Sequence, residues 1–129
     1  MKRIKSKSEK RIIIEVKVND KSALMLVDTG ATVGIIDSKQ RKDFNLIVGK
    51  DYPGTLVGAG GEMHNIKYCN TMAEFEGKLI PQFLLTDLSH VVKSIKKETG
   101  LEILGIISLP QMKIVGLGID ANDNEIIIE

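Results

Sequence analysis

Short β-branched apolar runs, broken by turn residues at intervals of roughly 8 to 12 positions, limit most strongly what this chain can fold into. Ile12 to Val18 sets Ile and Val against Glu15 and Lys17, which predicts a half-buried strand. Asn19-Asp20-Lys21 turns the chain into Ala23 to Val27, an apolar run short enough to be a fully buried strand. Val33 to Ile36 predicts a third, and Asp37 or Ser38 can cap a brief helix through Phe44. Ile47 to Tyr52 leads into the turn Pro53-Gly54. Thr55 to Val57 and Met63 to Tyr68 flank Gly58-Ala59-Gly60-Gly61-Glu62, a hairpin with a glycine-rich tip. A second hairpin joins Thr71 to Phe75 with Lys78 to Leu85 through Glu76-Gly77. Pro81 puts its return strand at an edge or a bulge, because proline has no amide for an interior ladder.

The clearest helix runs from Ser89 to Glu98. Asp87 or Ser89 can cap it, Val91, Val92 and Ile95 share one side, and Gly100 stops it. Glu102 to Ile107 predicts a strand entering a short turn or helix, Lys113 to Ile119 another strand, and Glu125 to Glu129 a last one after the turn at Ala121 to Asn124. Ile, Val and Leu dominate the apolar residues, tryptophan is absent, and the twelve glycines suit many turns and bulges. The sum is an all-β domain, sandwich or closed barrel, with one or two short helices.

The length of 129 residues allows one domain. It divides into a basic arm over residues 1–11, expected to be solvated and frayed, and a folded domain over residues 12–129. A net charge of +1 gives no electrostatic footprint for nucleic acid. No apolar run approaches the ~20 residues that span a bilayer, and Ile12 to Ile14 is too short for a signal peptide core. The single cysteine, Cys69, reads as a buried inert thiol. These features fit a reducing cytoplasm. With His64 and His90 as the only histidines, a metal site is not expected, and no cofactor is implied.

Chemistry concentrates in Leu26-Val27-Asp28-Thr29-Gly30-Ala31-Thr32. An apolar strand delivers a carboxylate into a turn, where backbone amides and the Thr29 hydroxyl can hold it. Gly30 permits a close backbone approach.

Asp28-Thr29-Gly30-Ala31 after an apolar strand resembles the active-site signature of the retropepsin-like aspartic proteases. Three further stretches are similar to that family in order and spacing, over roughly Ile12 to Ile119. Val33-Gly34-Ile35-Ile36 resembles its strand after the catalytic loop. Val57-Gly58-Ala59-Gly60-Gly61 resembles its glycine-rich flap. Ile103-Leu104-Gly105 resembles the element that packs beneath the loop. The resemblance implies the acid-protease closed barrel and an aspartic endopeptidase acting on a peptide or protein substrate.

Asp28 would be catalytic. Thr29 would stiffen the loops across a dimer axis, and Gly30 and Ala31 would form the floor beside the substrate. Gly58, Ala59, Gly60 and Gly61 would cover it. Peptide hydrolysis by this route needs two carboxylates on one water, and the chain holds one Asp-Thr-Gly. A homodimer supplies the second by symmetry. One departure stands out: retroviral members often carry an Asp and an Arg where this chain has Thr32 and Ile106. Both partners of that ion pair are missing together, so no lone charge is stranded. Two other functions are compatible with the fold: an inactive dimerisation or peptide-binding module, and a half-domain with a different partner.

Overall fold

The computed structural model describes every residue except Ala59, Gly60 and His64, and of Val57, Gly58, Gly61 and Glu62 it describes the backbone. Among the described residues, fourteen strands and two short α-helices follow one another. The strands are β1 (Lys2–Lys5), β2 (Ile13–Val18), β3 (Lys21–Asp28), β4 (Gly34–Asp37), β5 (Val48–Asp51), β6 (Leu56–Gly58) and β7 (Gly61–Met63). Then come β8 (Lys67–Cys69), β9 (Ala73–Phe75), β10 (Lys78–Ile80), β11 (Phe83–Thr86), α1 (Ser89–Thr99), β12 (Gly105–Ser108), α2 (Leu109–Val115), β13 (Leu117–Asp120) and β14 (Glu125–Ile128).

A nine-stranded sheet in the order β10-β9-β2-β3-β12-β4-β11-β8-β5 carries most of the chain. β1-β14-β13 form a second sheet and β6-β7 a separate hairpin. The pairing is mixed: β12 runs parallel to β3 and antiparallel to β4, and β11 runs parallel to β4.

The central strands are buried on both faces, which explains their unbroken apolar runs. Side chains alternate between two core clusters at the period of two that a pleated strand imposes. Met25 and Val27 of β3 enter one cluster, with Ile36 of β4 and Ile107 of β12. Leu26, Ile35 and Ile106, their neighbours in sequence, enter the other. The second cluster is closed by α1, whose Val92 and Ile95 are buried on the sheet beside Leu88 and Ile103. Each such aliphatic side chain contributes about 1.5–3 kcal/mol when fully buried.

Four local expectations change. The segment after β4 forms only a 3-10 turn, Ser38–Gln40, capped by Asp37, and continues in turns to Asn45. The return strand of the second hairpin splits at Pro81 and Gln82 (φ +68°), so β10 ends at one edge of the sheet and β11 starts a strand well inside it. Lys113 to Val115 belongs to α2, because Ser108 and Gln111 form a reciprocal capping box with proline in the first turn. Gly116, at φ +71°, then ends the helix. Finally, Lys2 to Lys5 of the basic arm pair with β14 instead of lying free. Arg3 anchors them by bonding Asp120 (2.8 Å) and Glu125 (3.2 Å), and the Arg3 bond holds the Asp120 carboxyl below its usual range.

Gly105 is the tightest point. Its strand lies between β3 and β4, opposite Met25 and Ile36, and a Cβ there would stand 2.2 Å from the Ile35 carbonyl oxygen. The obstacle is backbone, so no rotamer change relieves it. Gly105→Ala is expected to cost about 3 kcal/mol, at the upper end of overpacking penalties. Urea unfolding measures it, and a change within about 0.5 kcal/mol would show that β12 is not held so closely.

Candidate active site

Asp28 is the last residue of β3, half-buried, where the strand leaves the sheet. Its Oδ1 accepts the Gly30 amide at 2.9 Å, and its carbonyl accepts the Ala31 amide at 3.1 Å. These two bonds close a tight loop that aims the carboxylate out of the sheet. Behind it Ser108, at the end of β12, sits in register with Asp28, and the Leu109 amide reaches the Ala31 carbonyl at 3.4 Å. The loop is therefore pinned by the junction of β12 and α2.

Gln111 completes that junction. Its Oε1 accepts the Ser108 amide at 2.9 Å, and its Nε2 donates to the Pro81 carbonyl at 2.7 Å. It lies against Gly34, where a Cβ would fall 2.0 Å from Oε1. Gly34 thus owes its identity to the buried Gln111 amide.

Asp28 opens into a cleft of about 780 Å³. Gly30, Ala31 and Thr32 of the loop line it, together with apolar side chains from the sheet, among them Leu26, Ile35 and Ile106. Leu56 and Met63, opposite each other in the β6–β7 hairpin, line it from another side. Asp28 is the only carboxylate lining the cleft among the described residues. A second cavity of about 560 Å³ shares Thr32 and Val33 with it and carries Tyr52 and Tyr68, whose rings meet edge to face at 5.6 Å.

The residues singled out in the sequence fall in three places. Asp28, Gly30 and Ala31 meet in the cleft, with exposed Thr29 between them in the chain. Gly58 and Gly61 face each other in the hairpin, and Ala59 and Gly60 lie outside the described residues. Ile103 and Leu104 are buried beneath the sheet: the Leu104 amide bonds the Leu24 carbonyl (2.7 Å) and its carbonyl accepts from Asp37 (2.9 Å). Thr32 and Ile106 both line the cleft, and neither carries a charge.

Sequence reasoning missed the part played by α1 and Arg11. His90, Val91, Ser94 and Ile95 form one face of α1 on the cleft, and Arg11 stands at the same opening. Their spacing at i, i+1, i+4 and i+5 was a visible signal, but the helix was assigned only a core-facing side. Two contacts fix α1. Asp37, 3% exposed, accepts the Leu88 amide at 3.0 Å at the helix start. At its end Arg11 Nε donates to both Glu98 oxygens at 3.0 and 3.1 Å. That hydrogen bond raises the Arg11 pKa, with a smaller upward pull from Asp28, and lowers that of Glu98.

The aspartyl protease family model matches residues 14–85, more than half of the chain. Among solved structures, the EIAV protease complexed with the inhibitor HBY-793 superposes with a TM-score of 0.62 at 20% identity, covering 88% of this chain and 95% of that one. The retroviral protease-like domain of Ddi1 from Leishmania major superposes at 0.55 with 18% identity, covering 92% and 88%. No curated protein sequence matches.

Glu98 sets a pH limit on the α1 tether. Its folded pKa is depressed, so the bridge contributes fully above the ordinary glutamate value of about 4.3 and is lost as pH falls through the lowered folded value. Arg11 stays charged throughout. Protection of the Arg11 Nε proton, its exchange rate by NMR relative to free arginine at the same pH, should be high near pH 6 and lost toward pH 3, roughly as this linkage requires. Exchange that is independent of pH-linked bridge loss would show that the pair does not hold in solution.

Proposed function

The chain belongs to the aspartyl protease family and shares the fold of retroviral proteases, and on that premise we propose that it is a homodimeric endopeptidase of the retropepsin type to which each copy contributes Asp28. One observation carries this reading: a cleft large enough for a peptide side chain is lined, among the described residues, by a single carboxylate, Asp28, held by the Gly30 amide of its own loop. Hydrolysis by this route needs two. A two-fold axis beside Asp28 brings in the partner's Asp28 with no further sequence requirement.

The paired carboxyls share one proton, as is general for aspartic proteases, because two like charges in contact do not both ionise. The ionised member takes a proton from a water, which attacks the peptide carbonyl carbon. The protonated member gives its proton to the carbonyl oxygen. The resulting gem-diol collapses as the amide nitrogen gains a proton and the C–N bond breaks. Thr29 bonds across the axis and braces the two loops. Gly30 and Ala31 form the floor under the substrate backbone.

The β6–β7 hairpin acts as the flap. It meets the cleft through Leu56 and Met63, its sequence Gly58-Ala59-Gly60-Gly61 is poor in side chains, and an extended peptide would add along the hairpin as a strand. We read the curled nine-stranded sheet as the closed barrel of this fold. Ile80 of β10 and Val48 of β5, from its two ends, pack on one core cluster, which supports that reading. A lone buried Cys69 is in keeping with a reducing compartment. Among the described residues no helix is long and apolar enough to cross a membrane.

The uncharged Thr32 and Ile106 favour one alternative, a peptide-binding dimer without activity. Asp28→Asn separates the two. It should lower kcat on a cleaved peptide by about 10²–10⁴-fold, the range of a lost general acid–base group, while dimers persist in light scattering over a dilution series. Undiminished cleavage by the variant excludes Asp28 as the catalyst, and monomers at every concentration exclude the shared pair.

A further inference from the structure

We propose that α1 is the specificity wall of the Asp28 cleft, and that Val91 and Ser94 on it decide the size of the substrate side chain seated beside the cleaved bond. This rests on Asp28 being half of a shared catalytic pair.

α1 has two working faces. Val92 and Ile95 are buried against Leu26, Ile35 and Ile106 of the sheet. One step around the helix, Val91 is half-buried and Ser94 exposed, and both open into the cavity that contains Asp28. Residues three apart on a helix are neighbours, so the two form one continuous patch. The cleft is also lined by the apolar sheet residues Leu26, Ile35 and Ile106, and among the described residues its charged side chains are Asp28 and Arg11, the latter held by Glu98. A site of that lining takes an aliphatic or aromatic side chain and rejects a charged one, since an unpaired charge is costly to desolvate.

The helix is also held as a wall must be. The buried Asp37 carboxylate grips its start through the Leu88 amide, and Arg11 grips its end through Glu98, with Lys10 bonding the Glu98 carbonyl at 3.1 Å. Asp37, Leu88 and Glu98 do not line the cleft, whereas Arg11 does, so the helix is held at both ends while Val91 and Ser94 face the cavity between them. The polar Ser94 beside the apolar Val91 leaves room that a larger residue at either place would remove.

The test uses the full chain and octapeptides that differ only in Ala, Val, Leu or Phe beside a cleavage site found with a mixed peptide library. Val91→Phe should shift kcat/KM about tenfold away from Leu and Phe toward Ala, the scale of one or two methylenes in an apolar pocket. Val91→Ala should shift it about tenfold the other way, and Ser94→Leu should follow Val91→Phe. Damage to folding or to the dimer slows all four peptides alike, so an unchanged order with either Val91 variant overturns the proposal.

Cleavage of nothing by the wild-type chain would strike the catalytic reading instead. Octapeptides of one fixed sequence that differ only in Ala, Val, Leu or Phe at a central position are then ranked by fluorescence-anisotropy binding to the Asp28→Asn chain with and without the Val91 substitutions. Reordered affinities support the wall; the same order, or no binding at all, overturns it.

Discussion

The close passage of β12 between β3 and β4 is the constraint on which the rest of the molecule depends. Gly105 faces backbone on its Cβ side at a distance no side chain tolerates. Only glycine lets one strand run parallel to β3 and antiparallel to β4 at that spacing. Once β12 is seated, Ile106 and Ile107 enter opposite core clusters, and Ser108 comes into register with Asp28. The position of the carboxylate is thus set from the core, three residues after the glycine. The loop that carries it adds two short bonds of its own, the Gly30 amide to the Asp28 carboxylate and the Ala31 amide to the Asp28 carbonyl.

The same central strands create a problem that α1 solves. A sheet apolar on both faces must be covered twice. One face packs on the larger core cluster, and the other is covered by α1 through Val92 and Ile95. Covering that face places the adjacent stripe of the helix at the mouth of the cleft. Asp37 links the two duties, since it ends β4, caps the following turn and receives the Leu88 amide before α1. A buried carboxylate with three donors is a structural hub here, which separates its role from that of the half-buried, outward-facing Asp28.

Much of this was legible in the residues. Alternation located β2, uninterrupted apolar runs located β3, β4 and β12, and Gly100 marked the end of α1 where the chain turns left-handed at φ +80°. Asp28, Gly30 and Ala31 were legible because their chemistry is local: a carboxylate, an amide and a tight turn within four residues. Long-range contacts were not. Nothing near Gln111 announces that it packs on Gly34 and bonds Pro81, thirty residues away. Arg11 read as part of a basic arm because its partner Glu98 lies 87 positions on. The capping box at Ser108 and Gln111 was visible and passed over, since the β-branched stretch after it favoured a strand. Helix capping, proline in the first turn and Gly116 together outweighed that preference.

Family membership and fold leave one physical question above the others, which is whether two copies present their acids to a common water. A crystal structure of the protein with a statine peptide bound answers it directly. The two Asp28 carboxyls should lie about 3 Å apart, with the statine hydroxyl between them, as a proton-sharing pair requires. Carboxyls held in separate pockets, or a single copy closing around the inhibitor alone, would contradict a shared catalytic centre.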